Sequence, residues 1–289
     1  MTALVLSGGG ISAVAAIGVL EALVELQIPI DVIVGNSAGG LIGALYASGA
    51  QLVELQELAK SASRRLFRVP WMRLALQSVR WFRLPLHLVD AERMWALTDP
   101  WLKDRSFEST EIPLWVTATD LVHREVVAFG PTRAPFDAVL AKSLIVARED
   151  VPVDVGTAVR ASTATPGLFV PVRLGDRILV DGGIGDDFPV DIAVMAGAKR
   201  IIGVWVDEPT PWPMAKGITA PGILYQSLAV MIRQLSQVRQ AATLADVRLV
   251  TIRIPMEVGM TGFRAVPQLI DQGYTYAMSQ RATLSALVA

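Results

Sequence analysis

Cysteine is absent from this chain, and histidine occurs only twice, at His87 and His123. Without cysteine there is no disulfide framework, no thiolate nucleophile and no cysteine-ligated metal site. Two histidines also leave little material for a histidine-rich metal site. The composition therefore excludes a thiol enzyme and gives no indication of a resident metal or other cofactor.

Excess charge and long apolar runs are also missing. The 26 basic and 27 acidic residues nearly cancel, so the basic footprint of a nucleic-acid-binding protein is absent. No uninterrupted apolar run reaches the roughly 18–20 residues of a membrane span, and no secretory signal is visible. Yet 52% of the 289 residues are hydrophobic and the mean hydropathy is +0.46. We expect a cytoplasmic protein with either a large core or some apolar surface meant for lipid.

Strand-like and helix-like stretches alternate along the chain. This alternation predicts an α/β fold of three layers, α/β/α, around a mostly parallel central sheet. No repeat or domain boundary is evident, so we expect a single domain over residues 1–289. Near the end, periodicity predicts a long amphipathic helix over Gly222–Leu244 and one closing helix over Val266–Leu287.

The most informative stretch is Asp31–Gly49, in which an apolar strand turns at a Gly-x-Ser-x-Gly sequence and enters a helix. This is the pattern of a nucleophile elbow, which holds a serine hydroxyl exposed on a sharp turn. Gly35 and Gly39 flank Ser37 because a Cβ atom there would clash with the neighbouring strand and helix. The N-terminus of the following helix would face a developing oxyanion. Ser37 is therefore the candidate nucleophile.

A second glycine turn lies between the first strand and the first helix, and it contains Gly8, Gly9 and Gly10. Backbone N–H groups of such a turn approach a ligand closely and point at negative charge, as in an oxyanion hole. With Ala13, the turn also matches a dinucleotide fingerprint. That alternative needs an acid at the carboxyl end of the second strand, whereas Asp31 lies before that strand. Acyl chemistry is therefore favoured over a nucleotide-dependent oxidoreductase.

The serine needs a base, and neither histidine lies just after a core strand. Asp181 follows the apolar run Ile178–Val180 and precedes Gly182 and Gly183, so we place it at a strand end with room around it. An aspartate that is partly desolvated and within hydrogen-bond reach can accept the serine proton. Asp-Gly-Gly is also a common turn, and alone it would indicate no more than that.

The three stretches together resemble the patatin-like acyl hydrolases, which carry a glycine-rich oxyanion loop, a Gly-x-Ser-x-Gly nucleophile and a catalytic aspartate in this order. The stretches 118–121 and 160–166, and Gly273-Tyr274, also resemble bacterial members, so the similarity covers most of the chain. The resemblance implies a Ser37–Asp181 dyad, an oxyanion hole at Gly8–Gly10, no metal or cofactor and a lipid-ester substrate such as a phospholipid or lysophospholipid. No obligate protein partner is expected.

The chain departs from the family pattern at two places. Ser12 stands where relatives often carry arginine or lysine, and Ala13 replaces the last glycine of the loop. After the catalytic aspartate, Asp186 and Asp187 stand where relatives often carry asparagine, and extra carboxylates there would raise the pKa of Asp181 or disfavour anionic head groups. These departures leave open an alternative function, a catalytically weak lipid-binding or regulatory module on the same fold.

The segment 64–101 has a composition of its own, with seven arginines, four of the seven tryptophans of the chain and few acids. Arginine and tryptophan on an apolar background are typical of a segment that contacts anionic lipid. A helical cap whose aromatic side chains pack on the core is the alternative. We therefore predict a lid or a peripheral contact with the inner membrane face at residues 64–101.

Overall fold

The computed structural model describes residues 1–61, 91–131, 153–207, 220–243, 247–255 and 262–288. Within these ranges the strands are β1 (Thr2–Leu6), β2 (Val32–Asn36), β3 (Leu114–Asp120), β4 (Glu125–Phe129), β5 (Val172–Leu174), β6 (Arg177–Asp181), β7 (Arg200–Asp207) and β8 (Arg248–Pro255). The α-helices are α1 (Ala15–Glu25), α2 (Ser37–Ala47), α3 (Leu52–Ser61), α4 (Glu92–Leu102), α5 (Val155–Ser162), α6 (Val190–Met195), α7 (Ala220–Thr243), α8 (Val266–Ser279) and α9 (Arg281–Val288).

The strands form one sheet in which five consecutive strands, in the order β3-β2-β1-β7-β8, are parallel to one another. β4 and β6 are antiparallel to β3, and β5 is antiparallel to β6. Side chains alternate between the two faces of β1, so that Leu4 and Leu6 join one apolar cluster and Ala3 and Val5 the other. Helices cover both clusters, which confirms the predicted three-layer α/β/α architecture with a mostly parallel sheet.

The site is prepared by an unusual arrangement of β2 and β6 along β3. Residue Ala118 of β3 is paired with Val127 of β4 and also with Asp181 of β6, so β4 and β6 lie on opposite edges of β3. β4 also pairs with β3 opposite β2. β2 and β6 therefore share one edge of β3, run towards each other and meet with their carboxyl ends.

The closing helix predicted over Val266–Leu287 is in fact two helices, because α8 ends at Ser279 and α9 begins at Arg281. The long helix predicted over Gly222–Leu244 is confirmed as α7. A short 3-10 helix over Gly10–Val14 precedes α1. Among the described helices, none is long and apolar enough to cross a membrane.

Helices α1 and α8 pack closely through two glycines. A Cβ atom on Gly273 would overlap the carbonyl oxygen of Ala15, and one on Gly18 would overlap the carbonyl oxygen of Ile270. We expect Gly273→Ala to destabilise the fold by about 2 kcal/mol, the usual size of an overpacking effect. The melting temperature should then fall by about 5 °C. Thr275→Ala, on the exposed side of the same helix, is the control, and equal melting temperatures for the two variants would contradict this packing.

Candidate active site

Ser37 lies where β2 passes directly into α2. Its φ angle is +48°, a left-handed conformation that a non-glycine residue adopts only when its surroundings enforce it. A Cβ atom on Gly39 would overlap the backbone carbonyl oxygen of Ser7, and one on Gly35 would lie 2.8 Å from Cα of Gly40. The predicted reason for the two glycines of the elbow is thereby confirmed. The serine is held at the N-terminus of an eleven-residue helix.

Ser37 and Asp181 lie together. The hydroxyl of Ser37 donates a hydrogen bond of 2.9 Å to Oδ2 of Asp181. Thr165 Oγ1 donates to the same oxygen at 2.7 Å, and the N–H of Gly183 donates to Oδ1 at 3.0 Å. Asp181 is buried, and burial raises the pKa of its carboxyl group, while these three hydrogen bonds oppose the rise. The arrangement can move a proton from the serine to the carboxylate.

The surroundings of Gly182 explain why the chain turns immediately after Asp181. A Cβ atom on Gly182 would overlap the carbonyl oxygen of Thr117 in β3. Since β2 occupies the next length of the same edge, the chain must turn away immediately after Asp181. It does so in a short 3-10 helix over Gly182–Ile184. The first glycine after the aspartate, Gly182, is therefore required by the close contact where β2 and β6 meet.

The glycine loop after β1 lies beside Ser37. A Cβ atom on Gly8 would be 3.2 Å from Cβ of Ser37. Gly9 and Gly10 have φ angles of +128° and +57°, which glycine adopts without strain. The start of the loop is fixed to β7, because Ser7 donates its N–H to the carbonyl of Val204. The loop predicted for the oxyanion is therefore next to the candidate nucleophile.

Two hydroxyl side chains of the site were missed by the sequence analysis. Ser162, at the end of α5, accepts the backbone N–H of Ser37 at 2.7 Å. Thr165 follows three residues later and binds Asp181. Both lie in the stretch 160–166, which resembles the family but received no role. A run of small hydroxyl residues just after a helix was the available signal.

The departures at the glycine loop have a structural meaning. Ser12 is fully buried in the 3-10 helix after the loop, and Ala13 is nearly so. A charged side chain at position 12 would therefore have to be buried in the same place. The surroundings of this chain suit the small neutral residue that it carries.

Asp186 and Asp187 do not act on Asp181 as the sequence predicted, because the raised pKa of Asp181 comes from burial. Asp186 is itself buried, and burial followed by the nearby charge of Asp191 raises the pKa of its carboxyl group well above the usual value. Its backbone carbonyl accepts a 2.6 Å hydrogen bond from Nδ2 of Asn36, the residue before the nucleophile. The backbone carbonyl of Asp186 therefore holds the side chain of Asn36 in place next to Ser37.

His123 belongs to a different cluster. Its Nδ1 is 2.7 Å from Oδ2 of Asp120, and Nη1 of Arg177 lies between Asp120 Oδ2, at 2.7 Å, and Glu125 Oε1, at 2.6 Å. Asp120, His123 and Glu125 form the one group with metal-ligand composition in the described ranges. The guanidinium of Arg177 already supplies the cation between its carboxylates. This cluster ties β3, β4 and β6 together.

We expect His123→Ala to keep most of the hydrolytic activity, because its ring is engaged by Asp120 and the serine is bonded to Asp181. The same retention is expected for His87→Ala, although His87 lies outside the described residues. Initial rates on a soluble ester measure the effect. A loss of about 10³-fold or more, the scale of a missing general base, would mean that the base is a histidine.

Removal of the Thr165 hydroxyl should move the pH profile. Thr165→Val deletes one hydrogen bond that favours the charged form of Asp181, so the pKa of this carboxyl group should rise further. The acid limb of kcat/KM against pH should shift upward by about one unit, with a smaller change on the alkaline plateau. Thr165→Ser should restore the wild-type profile. Thr110→Val, which removes a hydroxyl bonded elsewhere, is the control, and an unmoved limb in Thr165→Val would refute this role.

Most of the segment 64–101, including Trp71, Trp81 and all but one of its arginines, lies outside the described residues. The described part forms α4, in which Trp95 and Trp101 pack against the main apolar cluster. Arg160 lies 5.5 Å from the ring centre of Trp95 and binds Asp99 at 2.8 Å. These two tryptophans therefore pack on the core, as in the helical-cap interpretation.

Fold and site together define a class, the α/β proteins in which an elbow serine is paired with a buried aspartate rather than a histidine. The chain belongs to the patatin-like phospholipase family, whose model matches residues 4–194. The resemblance drawn from the three motifs is thus confirmed.

Relatives support this assignment. An uncharacterized NTE family protein of Mycobacterium tuberculosis is 31% identical over 204 residues, which are 71% of this chain and 48% of that protein. The lysophospholipase NTE1 of Debaryomyces hansenii is 30% identical over 219 residues, 72% of this chain and 12% of the yeast protein. The match therefore spans about half of the mycobacterial relative and a small part of the yeast one.

Among solved structures, VipD of Legionella pneumophila superposes with a TM-score of 0.53 at 15% identity, covering 98% of this chain and 67% of that one. At this identity the likeness concerns the fold alone.

Proposed function

We propose that this chain is a serine hydrolase that cleaves acyl esters of lipids, with Ser37 as nucleophile and Asp181 as general base. The observation that carries the proposal is the 2.9 Å hydrogen bond from Ser37 Oγ to a buried carboxylate, at an elbow with φ of +48°. Membership of the patatin-like phospholipase family supports a lipid substrate. The name of the family makes phospholipids, and the name of the yeast relative makes lysophospholipids, the first substrates to test.

In the first half of the reaction, Ser37 Oγ attacks the ester carbonyl carbon while its proton passes to Asp181 Oδ2. The carbonyl oxygen becomes an oxyanion, which the backbone N–H groups of Gly8, Gly9 and Gly10 stabilise together with the N-terminal dipole of α2. The tetrahedral intermediate then collapses and expels the alcohol, which takes the proton from Asp181. An acyl group remains on Ser37.

In the second half, Asp181 accepts a proton from water, whose oxygen attacks the acyl carbon. The second tetrahedral intermediate uses the same oxyanion donors and releases the fatty acid. Ser37 recovers its proton from Asp181. Ser162 and Thr165 hold the backbone of the nucleophile and the carboxylate of the base during both halves.

Hydrolysis of a chromogenic short-chain ester and labelling by a fluorophosphonate probe test the proposal together. We expect turnover of the ester and a single covalent adduct, which peptide mapping places on Ser37. Lysophosphatidylcholine and phosphatidylcholine then separate the two substrate types by the fatty acid released. A folded protein that neither hydrolyses esters nor reacts with the probe would instead be the catalytically weak lipid-binding module.

A further inference from the structure

Helix α7 exposes large apolar side chains of the kind that an ordinary surface helix buries. Seven large aliphatic side chains on it are exposed, with exposed fractions between 42% and 67%. They are Ile223, Leu224, Leu228, Val230, Met231, Leu235 and Val238. Surface helices normally turn such residues to the core. These seven side chains define the outer face of α7.

The opposite side of α7 holds the active-site region. Ser236 is buried, and its hydroxyl accepts the backbone N–H of Asp187 at 3.3 Å. Nη1 of Arg239 lies 3.5 Å from Oδ2 of the buried Asp186. Asp186 in turn accepts the side-chain N–H of Asn36, next to the nucleophile. Arg239 and Asp186 therefore connect the inner side of α7 to Asn36, the residue before Ser37.

The outer face is broad and carries no charge. At 3.6 residues per turn, its side chains spread over an arc of about 160°, and the polar residues within that arc, Ser227 and Gln234, are neutral. The charged residues of α7 are Arg233 and Arg239, and both are only partly exposed; no carboxylate is present in the helix. A helix without carboxylates presents no negative charge that would repel the phosphates of a bilayer surface, and its uncharged outer face suits hydrocarbon.

A second copy of the chain fits less well. Leu224, Leu228, Met231, Leu235 and Val238 follow a spacing of four and three residues, as in a coiled-coil seam. However, Ile223 and Val230 widen the face beyond such a narrow seam. On one flank of that seam, Ser227 and Gln234 occupy the positions where charged residues usually select a helical partner.

We propose that the outer face of α7 inserts into the surface of a lipid bilayer, and that this contact places the Ser37 site at the membrane. The inference rests on the proposed function for its choice of substrate, since an enzyme on lipid esters must reach them in a bilayer. The binding is mainly apolar. It should therefore persist at high salt, unlike a contact made by the arginines of segment 64–101.

Vesicle binding without hydrolysis tests the face itself. In a Ser37→Ala background, the triple variant Leu224→Gln, Met231→Gln and Val238→Gln is compared with the parent by co-sedimentation with phosphatidylcholine vesicles, with and without phosphatidylglycerol. We expect the parent to bind both at high salt and the triple variant to bind on the order of 100-fold more weakly. The matched control is Val24→Gln, Leu121→Gln and Val122→Gln, three aliphatic residues of 49–51% exposure away from α7. It should bind as the parent does.

Each other outcome overturns the proposal. If the parent ignores vesicles, or binds them only at low salt, the outer face is not a bilayer contact. If the triple variant binds normally but loses self-association in sedimentation velocity, the face joins two copies. If it binds normally but melts at a lower temperature, another part of the chain covers the face.

The proposed function fails separately from this inference. With Ser37 restored, the triple variant should hydrolyse a soluble short-chain ester at the wild-type rate and lose activity on vesicles. A chain that hydrolyses no ester but binds vesicles through the outer face would refute the enzyme and keep the contact. If the wild type hydrolyses esters but the triple variant binds vesicles as strongly as the parent, the enzyme is supported and the contact is refuted.

Discussion

Ser37→Ala should lower kcat/KM for a soluble ester by at least about 10⁴-fold, while the protein stays folded. The size follows from removal of a nucleophile whose partners act as a unit. The fold should survive because alanine has the same backbone as serine and no larger side chain. The hydrogen bond from the backbone N–H of residue 37 to the Ser162 hydroxyl does not depend on the side chain of residue 37.

Rates on the chromogenic ester, melting temperature and fluorophosphonate labelling measure this effect together. Ser61→Ala is the control, because its hydroxyl is exposed and donates to the carbonyl of Leu58 in its own helix. The control should keep full rate and label. A folded Ser37→Ala protein with activity near wild type would rule out the nucleophile.

Asp181→Asn should lower kcat/KM by about 10³- to 10⁴-fold, the scale of a lost general base. An amide cannot accept the serine proton, although it can still accept the N–H of Gly183. In the wild type, activity requires the ionised carboxylate. Since burial raises the pKa of Asp181, activity should fall with acidity from a pH above the ordinary aspartate range. The asparagine variant should lack this acid limb.

The same variant should be at least as stable as the wild type at neutral pH. A buried aspartate whose pKa is raised in the folded state stabilises the fold when protonated, and this contribution is lost as pH rises through the folded pKa. Asparagine stays neutral, so it avoids the cost of a buried charge. Melting temperatures across pH measure the difference, which should shrink under acidic conditions.

Activity of Asp181→Asn within tenfold of the wild type would exclude Asp181 as the base.

The sequence predicted the parts of the site that depend on local chain geometry. Strand, glycine, serine and helix occur within one short stretch around Ser37, so their order fixes the elbow. Asp181 was a candidate because it follows an apolar run and precedes two glycines, and the resemblance to the patatin-like family implied its role as base. The direction of β6 was not predictable, because an apolar run reads the same whether its partner strand is parallel or antiparallel. Its head-on meeting with β2 is a property of the whole sheet.

Other features depend on neighbours that are distant in sequence. Ser162 and Thr165 acquire roles only because α5 ends beside the elbow. The carboxylate of Asp186 is turned towards Asp191 and Arg239, and no local pattern indicates that direction. The break between α8 and α9 at Gln280 carries neither glycine nor proline, so periodicity alone suggested one helix.

The contacts of β1 show that the segment matched by the family model is shorter than the unit that folds. The family model ends at residue 194, yet β1 lies between β2 and β7, and β7 begins at Arg200. Val206 donates its N–H to the hydroxyl of Ser7, at the entrance of the glycine loop, and α8 covers α1. A chain shortened to the recurring segment would turn its central strand into an exposed apolar edge, prone to aggregation. Its candidate catalytic residues would be complete, but the scaffold that aligns them would not.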